Sequence, residues 1–212
     1  MRKTMIIPTY WCRRTGELWQ EGDAVYDHPT PVDQEGTLER TLLSMKQFHE
    51  KDFKLVILIC PTTPEVEEEA YGQVLRITRR AQLNAETYLF TAGDLREMTD
   101  ILHTTGLTDQ GAKLLSMFGY SNVRNICLLA ASILTADAAL LIDDDRIGIE
   151  TDMLQLVDHF FHVVRMGMAD RDDGMSTVHI EITGSLVVPH VRALGPDDID
   201  IPQRVNFEQI HN

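Results

Sequence analysis

The segment 53–60, FKLVILIC, constrains the fold most. It is an almost unbroken apolar run of strand length, with Lys54 as its one charge. A strand with one wet face alternates polar and apolar residues. A run that is apolar at nearly every position suits a strand covered on both faces, as in a parallel sheet between helical layers. Pro61-Thr62-Thr63-Pro64 ends the run. Three more segments read as strands: 4–9, which Pro8 is expected to end, 87–91, and 138–142, which stops at Asp143-Asp144-Asp145.

Helical patterns fall between these runs. In 37–49, Leu38, Thr41, Leu42, Met45 and Phe48 share one helical face. Segment 65–80 carries acids at its front and arginines at its back, as the helix dipole prefers. Segments 94–104 and 109–117 read as two short helices, and a longer one is expected from a Ser121 or Asn122 cap to Leu134. A further helix is expected over 151–166, a strand pair over 176–188 interrupted at Gly184, and an acidic loop from Pro189. Segment 10–34, with Tyr10, Trp11, Trp19, Tyr26, Pro29 and Pro31, reads as a long loop, and such loops are often functional. The alternation predicts an α/β sandwich around a mainly parallel sheet, with ligands at the carboxyl ends of the strands.

Composition narrows the function. Asp and Glu number 33 against 19 Lys and Arg, a net charge of −14, which argues against nonspecific nucleic-acid binding. No apolar run approaches the ~18 residues of a membrane span. The longest, 126–142, is broken by Ser132, Thr135 and Asp137. Met1-Arg2-Lys3 leads into a short strand and Pro8, not into a signal-peptide core. Cys12, Cys60 and Cys127 have no CxxC spacing, so a reducing cytoplasm is the expected location.

The strongest chemical signal is Asp143-Asp144-Asp145 behind a buried strand. Two carboxylates at 4 Å repel by roughly 4 kcal/mol at an effective dielectric near 20. A hard cation, Mg²⁺ or Mn²⁺, removes that cost. Strand alternation would set Asp143 and Asp145 on one side. The plainer alternative is a solvated acidic turn. The second signal is Gly119-Tyr120-Ser121-Asn122-Val123-Arg124-Asn125, opening the helix that feeds this strand. Free helix N–H groups suit phosphate, and Arg124 adds a charged fork. Its alternative is a capped helix with a surface arginine.

In order and spacing, Ile6-Ile7-Pro8-Thr9-Tyr10, the helix with Thr37-Leu38-Glu39-Arg40-Thr41-Leu42-Leu43-Ser44, then Asn122-Val123-Arg124-Asn125 and Asp143-Asp144-Asp145 resemble nucleotide-sugar glycosyltransferases of the GT-A fold, family 2-like. The resemblance covers about residues 4–160. It implies one GT-A-like domain over 1–212, with a nucleotide-sugar-binding half, 1–145, and an acceptor-side half, 146–212, short enough to suggest a fragment. It implies transfer of a sugar from a nucleoside-diphosphate sugar to an acceptor hydroxyl, with Mn²⁺ or Mg²⁺. Pro8, Thr9 and Tyr10 would lie near the nucleoside, and Asn122 and Arg124 near the diphosphate or sugar. Asp143, Asp144 and Asp145 form the DxD-type motif, with Asp143 and Asp145 as metal ligands and Asp143 and Asp144 as donor contacts. A later histidine completes the metal site in some relatives, which makes His179 a candidate and His190 a second. Asp197 and Asp198, after Gly195-Pro196, are the candidate general bases; the alternative is an exposed acidic turn.

Two other functions fit parts of the pattern. A sugar-phosphate nucleotidyltransferase would want a glycine-rich opening loop, and no glycine follows Ile7 until Gly16. A catalytically silent nucleotide-sugar-binding or scaffold protein would need no base. His159 and His162 flank Phe160 and Phe161 and read as packing more than as ligands; that apolar stretch would suit a homo-oligomer interface.

Overall fold

The computed structural model describes residues 2–18, 20, 25–48, 52–104 and 106–145, with the backbone of three later strands. Strand β1 is Lys3–Cys12, β2 is Thr30–Pro31, β3 is Lys54–Pro61, β4 is Glu86–Phe90 and β5 is Ala138–Leu141. The later strands are β6 (Val178–Thr183), β7 (Leu186–His190) and β8 (Glu208–Ile210). Helices α1 (Leu38–Met45), α2 (Glu67–Ala81), α3 (Ala92–Thr104), α4 (Asp109–Ala112) and α5 (Tyr120–Ile133) connect the first five strands.

The sheet order is β7-β6-β5-β1-β3-β4-β8, with β2 on β1. Pairs β1–β3, β3–β4, β1–β5 and β5–β6 are parallel; β4–β8 and β6–β7 are antiparallel. This is the expected α/β architecture with a mainly parallel central sheet. Among the described residues, no helix is long and apolar enough to cross a membrane.

Alternation along the strands divides the core into two layers. Met5, Ile7 and Trp11 of β1, and Leu55, Ile57 and Ile59 of β3, pack against Leu38 and Leu42 of α1 and Val74 and Ile77 of α2. The neighbours Ile6, Val56, Leu58 and Cys60 pack on the other face, against Met98 of α3 and Val123, Ile126 and Cys127 of α5. Period two in the strands and 3.6 in the helices account for both layers. Apart from Lys54 near its start, FKLVILIC is apolar because both of its faces are covered.

Several element bounds differ from the sequence reading. Helix α1 stops at Met45, and a 3-10 turn at Pro64–Val66 precedes α2. The expected helix over 109–117 is the single turn α4. Segment 10–34 is not all loop: its start continues β1, and β2 pairs with Trp11 and Cys12. Past Pro189 the chain is not all loop either, since β7 runs to His190 and β8 joins β4. The expected helix over 151–166, with His159 and His162, lies outside the described residues.

The largest difference is that β1 runs through Pro8. Proline removes a ladder donor, so it is excluded from most central strands. On β1 the even-numbered residues face β5 and then β2: Ile142 N–H donates to Ile6 O at 3.0 Å, and Val32 N–H to Cys12 O at 3.1 Å. The odd side faces β3, where Thr62 N–H donates to Trp11 O at 2.8 Å. Register with β5 ends at Ile6, and register with β2 begins at Trp11. Pro8 sits in the interval, where its missing N–H deprives no ladder. Pro8→Ala is therefore expected to lower stability by about 1 kcal/mol or less. Ile6→Pro, two residues earlier inside the β5 ladder, is expected to cost about 3 kcal/mol or more. Urea unfolding of both variants checks the contrast.

Candidate functional site

The crossovers place the site. From β1 the chain steps through α1 to β3 and through α2 to β4, moving one way across the sheet. It then returns over the opposite face through α3 and α5 to β5, on the other side of β1. Strand order therefore reverses between β1 and β5, and the carboxyl ends of these strands border a crevice of the kind where open α/β sheets bind ligands. The interval in the β1 ladder opens onto this crevice.

Asp143, Asp144 and Asp145 follow β5 at its rim. Alternation persists past the last strand residue as far as Asp144, which with Asp145 lies in a turn. Leu140 and Ile142 face the α1–α2 layer, and Asp144 follows them there. Thr9 Oγ1 donates to Asp144 Oδ2 at 2.6 Å, and Thr41 Oγ1, from α1, donates to the Asp144 carbonyl at 2.7 Å. Both threonines are fully buried, at 0% exposure. Asp143 falls on the α5 side, near enough to Tyr10 and Cys127 to act on both electrostatically. Asp143 is half-buried and Asp145 exposed.

Burial, countered by the Thr9 hydrogen bond and reinforced by the charges of Asp145 and Asp143, raises the Asp144 carboxyl to about 6. Oxygen ligands of this kind suit a hard divalent cation. Among the described residues, no group of three His, Cys, Asp or Glu side chains forms a metal cage. Mg²⁺ commonly uses only one or two carboxylates and takes its other ligands from phosphates and water.

The α5 side of the crevice is aromatic. The Tyr10 and Tyr26 rings lie 4.2 Å apart, and Tyr120 meets each of them edge-on at 5.4 Å. Tyr26 donates its hydroxyl to Met117 O, and Asp27 N–H donates to Tyr120 Oη at 3.2 Å. Burial, first among several causes, pushes the Tyr10 and Tyr26 hydroxyls well above the ordinary tyrosine range. On the other side Arg13 reaches Thr63 at 3.2 Å and Glu65 at 3.1 Å, and Arg14 pairs with Glu69 of α2. The described residues after β1 are thus held to the α2 side at Arg13 and Arg14 and to the α5 side at Tyr26.

Other expected residues take particular places. Gly119, at φ 87°, is the N-cap of α5, with no side-chain cap, so the expected Ser121 or Asn122 cap is corrected. Glycine tolerates that backbone angle without the strain of a Cβ. Asn122 instead turns its amide back to Phe118 O at 3.0 Å. Arg124 is half-buried in α5 and acts on Cys127 with a sign opposite to that of Asp143. Burial outweighs both and raises that thiol to about 12. Trp11, 1% exposed, is core rather than a stacking surface, while Trp19 lies outside the described residues. His179 lies in β6, paired with Ala139 and His190. Asp197 and Asp198 lie outside the described residues.

Thr41, which the sequence places on a helix face and within the stretch Thr37–Ser44 but not among the candidate site residues, meets Asp144 in the structure. Its signal was a hydroxyl on an otherwise apolar stripe. Compared with models of known protein families, with curated proteins and with solved structures, the chain matches none.

The raised Asp144 carboxyl has a signed consequence for stability. The native state holds this proton more tightly than the unfolded chain, so stability falls as pH rises from about 4 to about 6 and stays lower above that. Asp144→Asn keeps an acceptor for Thr9 and removes the charge. In chelator it is expected to be more stable than the parent at pH 7 by about 1–3 kcal/mol, and nearly equal to it near pH 4. Chemical denaturation at the two pH values checks this, and an Asn variant weaker at pH 7 would contradict it.

Proposed function

We propose that this chain is a metal-dependent glycosyltransferase that uses a nucleoside-diphosphate sugar. The observation that carries the reading is that the acidic segment Asp143-Asp144-Asp145 directly follows β5 at the carboxyl ends of β1 and β5, where the strand order reverses. The donor set fits a hard divalent cation, with Asp143 and Asp145 as its holders. When bound, that cation would supply Lewis-acid neutralisation of the departing diphosphate. Arg124 and the uncapped first turn of α5 offer positive charge for the diphosphate. Pro8, Thr9 and Tyr10, at the carboxyl end of β1, would border the nucleoside. Asp197 or Asp198 would take the proton of the acceptor hydroxyl.

The test is a thermal-shift series with UDP-, GDP- and ADP-linked sugars, each with Mn²⁺ and with EDTA. Saturating ligand at a hundred times its dissociation constant adds about 2.7 kcal/mol, a rise of roughly 5 °C or more for a chain of this size. The expected result is a shift that needs both one nucleotide sugar and the metal and disappears in Asp145→Ala. No shift with any of the nucleotide sugars, metal present or absent, would remove the reading. A metal-dependent shift without sugar transfer or hydrolysis would move the chain to the silent-binder class.

A further inference from the structure

We propose that the open stretch of β1, between its ladders with β5 and β2, is a backbone slot for a nucleobase, whose lactam edge pairs with Pro8 C=O and Tyr10 N–H. The class of ligand rests on the nucleotide reading above. The slot itself is built from main-chain groups and involves no metal ion.

Even-numbered residues of β1 turn their backbone groups toward β5 and β2, and odd-numbered ones toward β3. Ile6 O is taken by Ile142 N–H at 3.0 Å, and Cys12 O by Val32 N–H at 3.1 Å. From Ile7 to Tyr10, among the described residues, no strand is in register with this edge, and no hydrogen bond reaches Pro8 O or Tyr10 N–H. Pro8 is buried and Tyr10 half-buried. Buried backbone polar groups are nearly always paired, so an acceptor and a donor side by side within a sheet call for a partner. In a parallel ladder, the C=O of one residue and the N–H two residues on bond the N–H and C=O of a single partner residue. A ligand that takes that residue's place must carry an N–H beside a carbonyl, as the edges of uracil and guanine do. Pro8 sharpens the fit, because without an N–H it asks for no second acceptor. The interval is about 13 Å long at the rise of a strand. Strand β5 closes one end and β2 the other, so a peptide chain could not run through it, whereas one planar group needs no such path. The rings of Tyr10 and Tyr120, 5.4 Å apart, stand on the α5 side of the interval, and exposed Tyr120 offers a base a surface for stacking.

Amide hydrogen exchange of the full ¹⁵N-labelled chain, read by NMR at Tyr10, tests the slot without any turnover. In the free protein the Tyr10 amide is expected to exchange about tenfold or more faster than those of Thr9 and Trp11, which face β3. Saturating UDP or GDP, each with Mg²⁺, is expected to slow Tyr10 by about tenfold or more and to leave Thr9 and Trp11 unmoved. UDP methylated at N3 and GDP methylated at N1 lack the lactam N–H, and with them that protection is expected to vanish. Equal protection by the methylated nucleotides would overturn the slot. So would a Tyr10 amide already as slow as its neighbours in the free protein, which would mean that its N–H is bonded without ligand. Protection by neither UDP nor GDP, alongside a melting shift with any nucleotide sugar, would overturn the slot and leave the nucleotide reading standing. No protection and no melting shift would overturn both.

Discussion

The ladder between β1 and β5 is short, and much of the molecule depends on where it stops. It closes with Ile142 N–H on Ile6 O, and beyond that point the two strands separate. Had β5 followed β1 to its end, the edge facing Pro8 and Tyr10 would be filled by backbone. Instead that edge of β1 has no strand in register with it from Ile7 to Tyr10 among the described residues, until β2 pairs with it at Trp11, while β3 stays paired along the other edge. The separation gives the acidic segment room to enter and turn, at the point where the chain's two directions of travel across the sheet meet. Proline at position 8 is compatible with this arrangement and would be costly in a fully paired one.

The two faces of the crevice differ in kind. On the α1–α2 side, buried threonines meet a half-buried carboxylate. On the α5 side, three tyrosine rings stand beside buried thiols and Arg124. Burial disfavours the charged form of the Asp144 carboxyl and is the main cause that raises it to about 6, with the charges of Asp145 and Asp143 adding to the effect. Negative charge held that close to a semi-apolar wall is a standing cost to the folded state. A cation would relieve it, and this links the energetics of the fold to the proposed chemistry.

Elsewhere the surface is organised by ordinary charge pairing. Arg80 bridges Glu35 and Glu39, Arg96 reaches Glu67, and Arg2 ties the start of the chain to Asp137 beside β5. Exposed pairs of this sort contribute little each. Their use here is orientation: they join segments far apart in sequence on either side of the sheet. With a net charge of −14, such a surface repels polyanions.

The sequence by itself determined the layering. Apolar runs at 53–60 and 138–142, and helical stripes such as Leu38, Leu42 and Met45, could only be satisfied by a covered parallel sheet, and periodicity is a local property that a chain displays openly. It also exposed the acidic triplet and Arg124, because clustered charge after a buried strand is visible without coordinates. Tertiary structure alone decided which carboxylate turns inward, that Trp11 is core, and that Pro8 lies within a strand. It alone brought Thr41 to Asp144, about a hundred residues apart along the chain. Those outcomes depend on which strand pairs with which and where a ladder ends. That is set by the sum of contacts between distant segments, and no window of neighbouring residues contains it.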